Sequence, residues 1–585
     1  MKRQKVSTFT KQMFIRQYIP ALSSALVLSV ADMADALVVG NRMGATGLAA
    51  IAFAIPVFMI FNVIMHSFGL GGAVTFSQKM AKGEEKEATA DFQGVMTFVL
   101  TLGLVLAVLG NIFATRIAVL LGAPADSSSL ITATVTYLRY IFAAAPFFFF
   151  SYTVGYYMRN DDLQKESALS SQIGNVCDFC LNIILVLLCG MGVTGAAIST
   201  MSGVIVTSLI EVFFIRSKGS HLRLVNFHPI FKDIFHSYKT GFSSCISYIY
   251  TFLFIWIGNN VLSRVSGEIG VAVFEVVQSL SYMIGYVFNA ISTAVQPILT
   301  AYESECNYAE SDNMGNLTRN VGIITAIVLT GLIAALAEPI CMLFGLNTEA
   351  TIVYGVYALR VFSISILFAG FNILLANIHA AQGNITPAFM LSTLRGAVIL
   401  IPSMLLLISI GEKPFWYTYA VTEILSFLAI TIYFRFFMKK ENRLDSKQIY
   451  TTTLHGDVGA LGTVLPQVET FLESWEASPK QMYYVQMTIE EVCSAIINMG
   501  FKNIPADNGL IQLTLVSMGN KEFSMHIRDN AISFNPFDLG RKKAHEVDED
   551  SSDDFNALGM DVIKKKAKSF YYRRYQGFNT MVVKI

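Results

Sequence analysis

The sequence predicts an all-α polytopic membrane protein, about twelve transmembrane helices in two six-helix lobes, followed by a C-terminal α/β domain. Three observations carry this. Hydrophobic residues make up 54% of the 585 and charged residues only 14%, with mean hydropathy +0.52, which excludes an ordinary soluble protein. Charge is also unevenly placed. From Asp445 onward 33 of 141 residues are Asp, Glu, Lys or Arg, about 23%, a soluble-domain value; the preceding 444 residues hold 51, about 11%. Finally, apolar runs long enough to cross a bilayer recur from about residue 17 to about residue 437.

The runs fall near 17–40, 46–72, 92–120, 132–156, 166–189, 193–215, 237–263, 270–299, 318–344, 353–378, 386–410 and 415–437. Each must be helical, because an open backbone cannot be satisfied in lipid. The basic N-terminus (Lys2, Arg3, Lys5, Lys11, Arg16) leads into the first run without the short core and cleavage site of a signal peptide. With an even count, the N-terminus, the even-to-odd loops and the tail share one side. That side holds Lys79, Lys82, Lys86, Arg159, Lys165, Arg216 to Lys239, and Arg435 to Arg443. The opposite loops hold only Arg42, Arg116, Arg264 and Lys413, with Arg139 and Arg360 toward that end of their helices. This contrast predicts a cell-membrane protein with both termini in the cytoplasm. Similar polar bends after Tyr157 and Ile378, six helices apart, suggest an internal repeat and two lobes around a central cavity; convergent loop composition is the rival explanation. The seven cysteines form no framework, and Cys177 and Cys180 read as small buried side chains on an apolar helix.

Ionisable groups inside apolar runs cost about 2.5–3.5 kcal/mol each on insertion scales, so they are informative. Asp32 and Asp35 stand at i, i+3 on the first run, and Asn175, Asp178 and Asn182 share one face of the fifth, with Thr200 in the next helix. They describe a polar pocket binding H⁺ or Na⁺, or else carboxylates near helix ends that touch water or headgroups. Arg139 is the basic residue of this half deep enough to pair with them. In the second half Glu275, Arg360, Arg395 and Glu423 suit structural ion pairs or snorkelling at least as well as transport. The aromatic run Phe147 to Phe150, Tyr152, Tyr156 and Tyr157 suits packing, or in part a cavity wall for flat lipophilic substrates.

The stretch from Asp35 through Gly40, Gly44 and Gly47 to Ala50 resembles the first-helix signature of multidrug and toxic compound extrusion (MATE) transporters. So do Gly190 to Thr200, Ala294 to Leu299 with Pro297, and Ser392 to Arg395 with Pro402. The resemblance covers about residues 10–440. It implies two six-helix lobes (1–220 and 221–443) and export of drugs or metabolites in exchange for H⁺ or Na⁺. In the DinF-like branch it implies an ion-coupling cluster at Asp35, Asp178, Asn182 and Thr200, with Asp32 alongside. The fifth-helix pair is exchanged here, Asp first and Asn second. The seventh-helix acidic residue of other branches is not evident between Tyr238 and Ser263.

The tail carries three landmarks in order: a helix around Glu490 and Glu491, a strand from Phe523 that turns at Asp529, and a loop at Asn556 opening a helix. Strands at Ser569 and Asn579 follow. Residues 450–585 thereby resemble the ATP-binding domain of anti-sigma factor serine kinases, within the GHKL ATPase superfamily. The resemblance implies Glu491 as catalytic base, Asp529 as adenine-reading carboxylate, and Leu558, Gly559 and Met560 as part of a phosphate-side lid. Ala495 stands where the family has its Mg²⁺-binding Asn, and Ala531 replaces the usual Gly. Without that metal ligand phosphoryl transfer is undermined, so the tail reads as a non-catalytic regulatory or partner-binding module, with ATP binding left open. The acidic run His545 to Asp554 reads as a solvated loop.

The resulting expectation is a secondary efflux antiporter for lipophilic cations and not an enzyme. It needs the bilayer, a small-molecule substrate and a coupling ion, no resident cofactor, no nucleic acid, and at most a cytosolic regulatory protein at the tail. The alternative is a membrane-anchored sensor whose tail binds a sigma-factor-type regulator. Export of a lipid-linked precursor would call for a Lys- and Arg-rich cavity.

Overall fold

The computed structural model describes residues 7–81, 84–217, 220–223, 231–437, 443–502, 508–519, 522–538, 551–575 and 578–585. Lys2, Arg3, Lys5, Lys82, Lys439, Lys440 and the first part of the acidic run, 545–550, lie outside the described residues. Eleven described helices are long and apolar enough to cross a membrane. The first runs Thr8–Met80, 73 residues. At ~1.5 Å per residue that is far longer than a bilayer core of ~30 Å. It breaks at Gly44, whose φ of 61° and ψ of −143° leave the helical region. Two passes therefore meet at one glycine, which reconciles eleven continuous helices with the twelve apolar runs.

In chain order the helices are α1 (Thr8–Ile64), α2 (Gly71–Ala81), α3 (Glu85–Ile112), α4 (Ala114–Leu120), α5 (Ser128–Asn160), α6 (Gln164–Asn182), α7 (Val193–Ser217), α8 (Phe231–Val265), α9 (Gly267–Ser304), α10 (Tyr308–Ala335), α11 (Ala337–Leu343), α12 (Glu349–Ala381), α13 (Ile385–Thr393), α14 (Leu400–Ile410), α15 (Glu412–Phe415) and α16 (Thr418–Phe436). Wider π turns interrupt three membrane passes, at Met65–Leu70, Ile183–Leu188 and Leu394–Val398. Side-chain caps satisfy free amides at exposed starts, as where Ser7 accepts from the Thr10 amide.

The halves α1–α7 and α8–α16 meet where glycines let backbones touch. At the end remote from the tail, a Cβ on Gly40 would strike the Phe344 carbonyl and one on Gly345 the Gly40 carbonyl; beside them Asn41 Nδ2 donates to Leu343 O at 2.5 Å. Nearer the tail, Gly71 lies against Ser237 and Gly241 of α8. The second half keeps an ion pair inside: Arg395 meets Glu423 at 2.6 Å, and Asn372 Nδ2 donates to the same carboxylate at 2.8 Å. The sequence alone leaves that pairing open. Arg360 stays exposed, donating to Ala334 O at 3.4 Å.

The C-terminal domain is a five-stranded antiparallel sheet: β1 (Ile449–His455), β2 (Leu510–Ser517), β3 (Phe523–Asp529), β4 (Ser569–Tyr575) and β5 (Phe578–Lys584), in the order β1-β2-β3-β5-β4. Helices α17 (Leu461–Ser474), α18 (Pro479–Ala495) and α19 (Ser551–Lys566) complete it. Alternation sorts the faces. Ile511, Leu513, Leu515, Met525, Ile527 and Met581 share one apolar cluster with Val468, Val485, Ile489, Val492, Met560 and Ile563 of the helices. Gln512, Thr514, Ser524 and Arg528 occupy the other face, and they are buried as well.

Candidate functional site

Four helices converge on Asp35. Tyr137 of α5 donates its hydroxyl to Oδ2 at 3.2 Å, Thr200 of α7 donates to the same oxygen at 3.1 Å, and Asn182 of α6 donates Nδ2 to Oδ1. Small residues make the convergence achievable. A Cβ on Gly203 of α7 would stand 2.8 Å from the Asp178 Cβ and 2.9 Å from the Gly174 carbonyl, so α6 and α7 approach with no side chain between them. Asp178 sits one turn before Asn182. Asp32, three residues before Asp35, faces the other half of the molecule and accepts from the Tyr286 hydroxyl of α9. One short segment of α1 thus holds a carboxylate for each half.

These groups open into a cavity of about 690 Å³ lined by α1, α5, α6, α7, α8 and α9, a volume typical of small-molecule sites. Asp32, Asp35, Asp178 and Thr200 line it; Asn182 stands behind Asp35, fully buried. Two further carboxyl groups line it that the sequence alone does not assign to the site, Glu211 of α7 and Glu275 of α9. Both are buried, Glu275 accepts from Ser279 at 3.2 Å, and neither makes an ion pair among the described residues. Arg159 is the one Lys or Arg among the lining residues. Arg139, deep enough to pair with these carboxylates but not placed near them by the sequence, is exposed and absent from the lining; its backbone oxygen accepts from Asn111 Nδ2 at 3.2 Å. Five carboxyl groups and one guanidinium thus line the cavity, which is not the Lys- and Arg-rich wall that export of a lipid-linked precursor would call for.

The aromatic run divides by face. Phe148, Tyr152 and Tyr156 line the cavity, Phe149 and Tyr157 are packed in the core, and Phe147 is exposed. His66 in the first π segment is not legible in the sequence as a site residue. Its Nδ1 meets Asn62 O at 3.0 Å, while Nε2 meets the hydroxyls of Tyr156 at 3.0 Å and Tyr248 at 3.1 Å, joining α5 to α8. The reading of Cys177 and Cys180 as buried is corrected: Cys177 is half-buried and Cys180 exposed, whereas Cys245, Cys341 and Cys493 are buried.

In the tail, Asp529 ends β3 with its carboxyl fully buried. Oδ1 accepts from Asn579 Nδ2 at 2.7 Å and from the Ala531 amide at 2.9 Å, whereas Oδ2 has no partner among the described residues. Burial pushes its pKa up to about 7. Glu491 is also raised, by burial first and then by Glu490. The reading of Asn556 to Met560 as a loop opening a helix is corrected: α19 starts at Ser551, so Gly559 lies inside it and offers no free helix-start amides. A Cβ there would meet the Glu491 carboxyl at 2.5 Å, and Met560 is fully buried in the core. Asp553 and Asp554, expected in a solvated loop, belong to the same helix. Ala495 is buried beside this site and supplies no ligand. Among the described residues no group of three His, Cys, Asp or Glu is placed to hold a metal ion.

Because the Asp529 carboxyl binds its proton more tightly when folded, its contribution to stability is full below pH ~4 and falls away as pH rises toward 7. Three pKa units correspond to at most about 4 kcal/mol. Amide exchange in β3 of the full-length chain is therefore expected to be faster at pH 8 than at pH 6 after correction for intrinsic rates. In Asp529→Asn, which keeps the Oδ1 contacts, that extra acceleration should vanish; its survival would place the titration elsewhere.

A many-helix membrane body enclosing a polar cavity between two halves is the architecture of a transporter. The MatE family model matches residues 20–184 and 240–406, more than half of the chain, and the chain belongs to that family. The multidrug export protein MepA of Staphylococcus saprophyticus is 24% identical over 407 residues, 68% of this chain and 87% of its own length. The probable multidrug resistance protein YoeA of Bacillus subtilis is 27% identical over 211 residues, 35% of this chain; that match spans less than half of YoeA, 44%. Among solved structures, an inward-facing multidrug resistance MATE transporter aligns with a TM-score of 0.62 at 18% identity, over 72% of this chain and 97% of its own. The MATE multidrug transporter DinF-BH, solved as a ligand complex, gives 0.56 at 24%, over 73% and 97%. The family model ends at residue 406, before the C-terminal domain.

Proposed function

We propose that the chain is a secondary antiporter that exports lipophilic organic cations in exchange for H⁺ or Na⁺. The observation that carries this is the acidic, partly aromatic cavity in which three donors from three helices converge on Asp35. The names of the relatives point the same way for drug export. Residues 1–220 and 221–443 are the two lobes, which rock about the cavity, and both termini face the cytoplasm. Asp35 is the coupling group, supported by Asp178, Asn182 and Thr200, with Asp32 sensing the other lobe through Tyr286. As an anion Asp35 accepts three hydrogen bonds; protonated, it carries a donor of its own, and the Tyr137 or Thr200 hydroxyl that meets it must switch from donating to accepting. Protonation from outside thus repacks α1 and releases the cation, and deprotonation toward the cytoplasm restores an anionic cavity for the next. Exchange of one proton for one monovalent cation moves no net charge, so the pH gradient does the work, about 1.4 kcal/mol per pH unit.

The tail is a degenerate GHKL-type regulatory domain. Its sheet-and-helix layering and the buried carboxyl of Asp529 support the likeness, and ATP is its natural ligand to test. The missing metal ligand at Ala495 and the closure of α19 over Glu491 speak against phosphoryl transfer. The transport reading is tested with the full-length protein in vesicles loaded with ethidium. Dye movement is expected to follow an imposed pH or Na⁺ gradient at least fivefold faster than in protein-free vesicles. Equal rates under every gradient would leave the sensor reading in its place.

A further inference from the structure

The polar face of the C-terminal sheet is covered along its centre, where β2 and β3 present the buried Gln512, Thr514, Ser524 and Arg528. It rests on the seam where the start of α1, from the first half, meets the end of α9 and the start of α10, from the second. Within that seam Thr10 Oγ1 lies 2.8 Å from the Tyr302 hydroxyl and 2.5 Å from Glu310 Oε2. The sheet grips both sides of it. Toward α1, Phe578 packs edge-on against Phe9 with ring centres 5.5 Å apart, Arg16 lies 5.5 Å over the same Phe578 ring, and Asn530 Nδ2 donates to Gln12 at 3.2 Å. Toward the α9–α10 turn, Arg528 pairs with Glu305 and covers the Tyr302 ring at 5.2 Å, while Asn307 donates to Thr451 at 3.2 Å and Thr514 at 3.0 Å. The two threonines are cross-strand neighbours in the β1–β2 register, so a single side chain reads two strands.

We infer that the C-terminal domain is an interlobe clamp: docked as here, it holds the tail-side ends of the two halves together and slows the rocking on which transport depends. The inference rests on the transport reading above and adds its regulation. The chemistry of the contact is that of a latch and not of a permanent core. Arg528 and Glu305 are each almost fully buried, 5% and 7% exposed, a pairing that fixes position more than it adds stability. Around it Gln512 Oε1, His526 Nδ1 and Arg528 Nη1 are buried with no hydrogen-bond partner among the described residues. Docking therefore sacrifices hydrogen bonds that water would restore on release. The strand β3 joins this contact to the interior of the domain. Arg528 and Asn530 face the membrane body, and Asp529 between them faces the helices and carries the unpartnered carboxyl oxygen.

The test uses charge reversal in the full-length chain. Arg528→Glu and Glu305→Arg singly should speed amide exchange at residues 8–16 and 302–308 at least tenfold and raise gradient-driven ethidium transport at least threefold. The double reversal should return both toward wild type. Phe9→Ala, which leaves the tail domain itself intact, should move both readouts the same way, and so guards against misfolding of a reversed domain. Faster exchange with unchanged or slower transport would overturn the clamp, as would unchanged exchange in all three single variants. A wild-type chain that moves no dye under any gradient fails the transport reading instead, and the clamp then stands or falls on exchange and its rescue alone.

Discussion

Asp35→Asn should abolish gradient-driven accumulation while leaving the protein folded. The substituted amide has the size of the carboxyl it replaces, and its oxygen can still accept from Asn182. Its Nδ2 then faces the hydroxyls of Tyr137 and Thr200, which can rotate from donating to accepting. What is lost is the ability to change charge. A wild-type transporter driven by one pH unit has about 1.4 kcal/mol per proton available, roughly a tenfold concentration ratio. The Asn variant should do no more than equilibrate the dye. Ethidium flux in vesicles under a one-unit pH gradient measures this, with thermal unfolding in detergent as the folding control. Wild-type accumulation by Asp35→Asn would remove Asp35 from the coupling step. Asp178→Asn is the informative companion: if the two carboxyls share the task, it should weaken accumulation several-fold without abolishing it.

The residues of this cluster differ in how readable they are. Asp32 and Asp35 stand out because a carboxylate in an apolar run is costly whatever surrounds it. Their i, i+3 spacing gives a common helix face, yet the structure sends one to the first half and the other to Tyr286 in the second. A helix face is broad enough for both, and only packing divides it. Tyr137 is hidden in a run of apolar and aromatic residues. Glu211 is inconspicuous because five residues later Arg216 ends the helix, which makes the pair resemble helix-end charges. Arg139 and Arg159 show the same limit from the other side: depth along a helix can be estimated from sequence, but the face cannot, and the shallower arginine reaches the cavity.

The helix count illustrates a different limit. Gly44 lies in a Gly-rich stretch that reads as a turn between two spans, and it does turn the chain. Flanking residues nonetheless remain helical to within one residue, so two passes join without a loop. In the tail the acidic composition of residues 545–554 suggests a solvated loop. Ser551 to Asp554, the described part of that run, is helical instead and belongs to α19. Strand alternation, by contrast, places β3, β4 and β5 within a residue or two, since one face has to meet α17, α18 and α19 while the other does not.

Single methyl groups at the two glycine seams should bias the transporter in opposite directions. Gly40 and Gly345 bring backbone against backbone at the end remote from the tail, and Gly71 and Gly241 do so nearer to it. At each seam the atoms that a new Cβ would meet are backbone atoms, which cannot rotate aside as a long side chain would. The helices must separate by about an ångström, and overpacking of this kind costs about 1–3 kcal/mol. In a two-state equilibrium that shifts populations by roughly 5- to 150-fold. Gly40→Ala should therefore favour states open at the remote end, and Gly71→Ala states open toward the tail. A cysteine at Ala31, which lines the cavity, placed in a chain with its seven native cysteines replaced, reports this through its reaction with a membrane-impermeant maleimide added to one side or the other. Labelling from the remote side should rise at least fivefold in Gly40→Ala and fall in Gly71→Ala, with the reverse from the tail side. Ethidium transport should drop in both, because a cycle needs each seam to close once per turnover. Equal labelling of both variants from both sides would mean that these contacts are static packing and that the lobes pivot elsewhere.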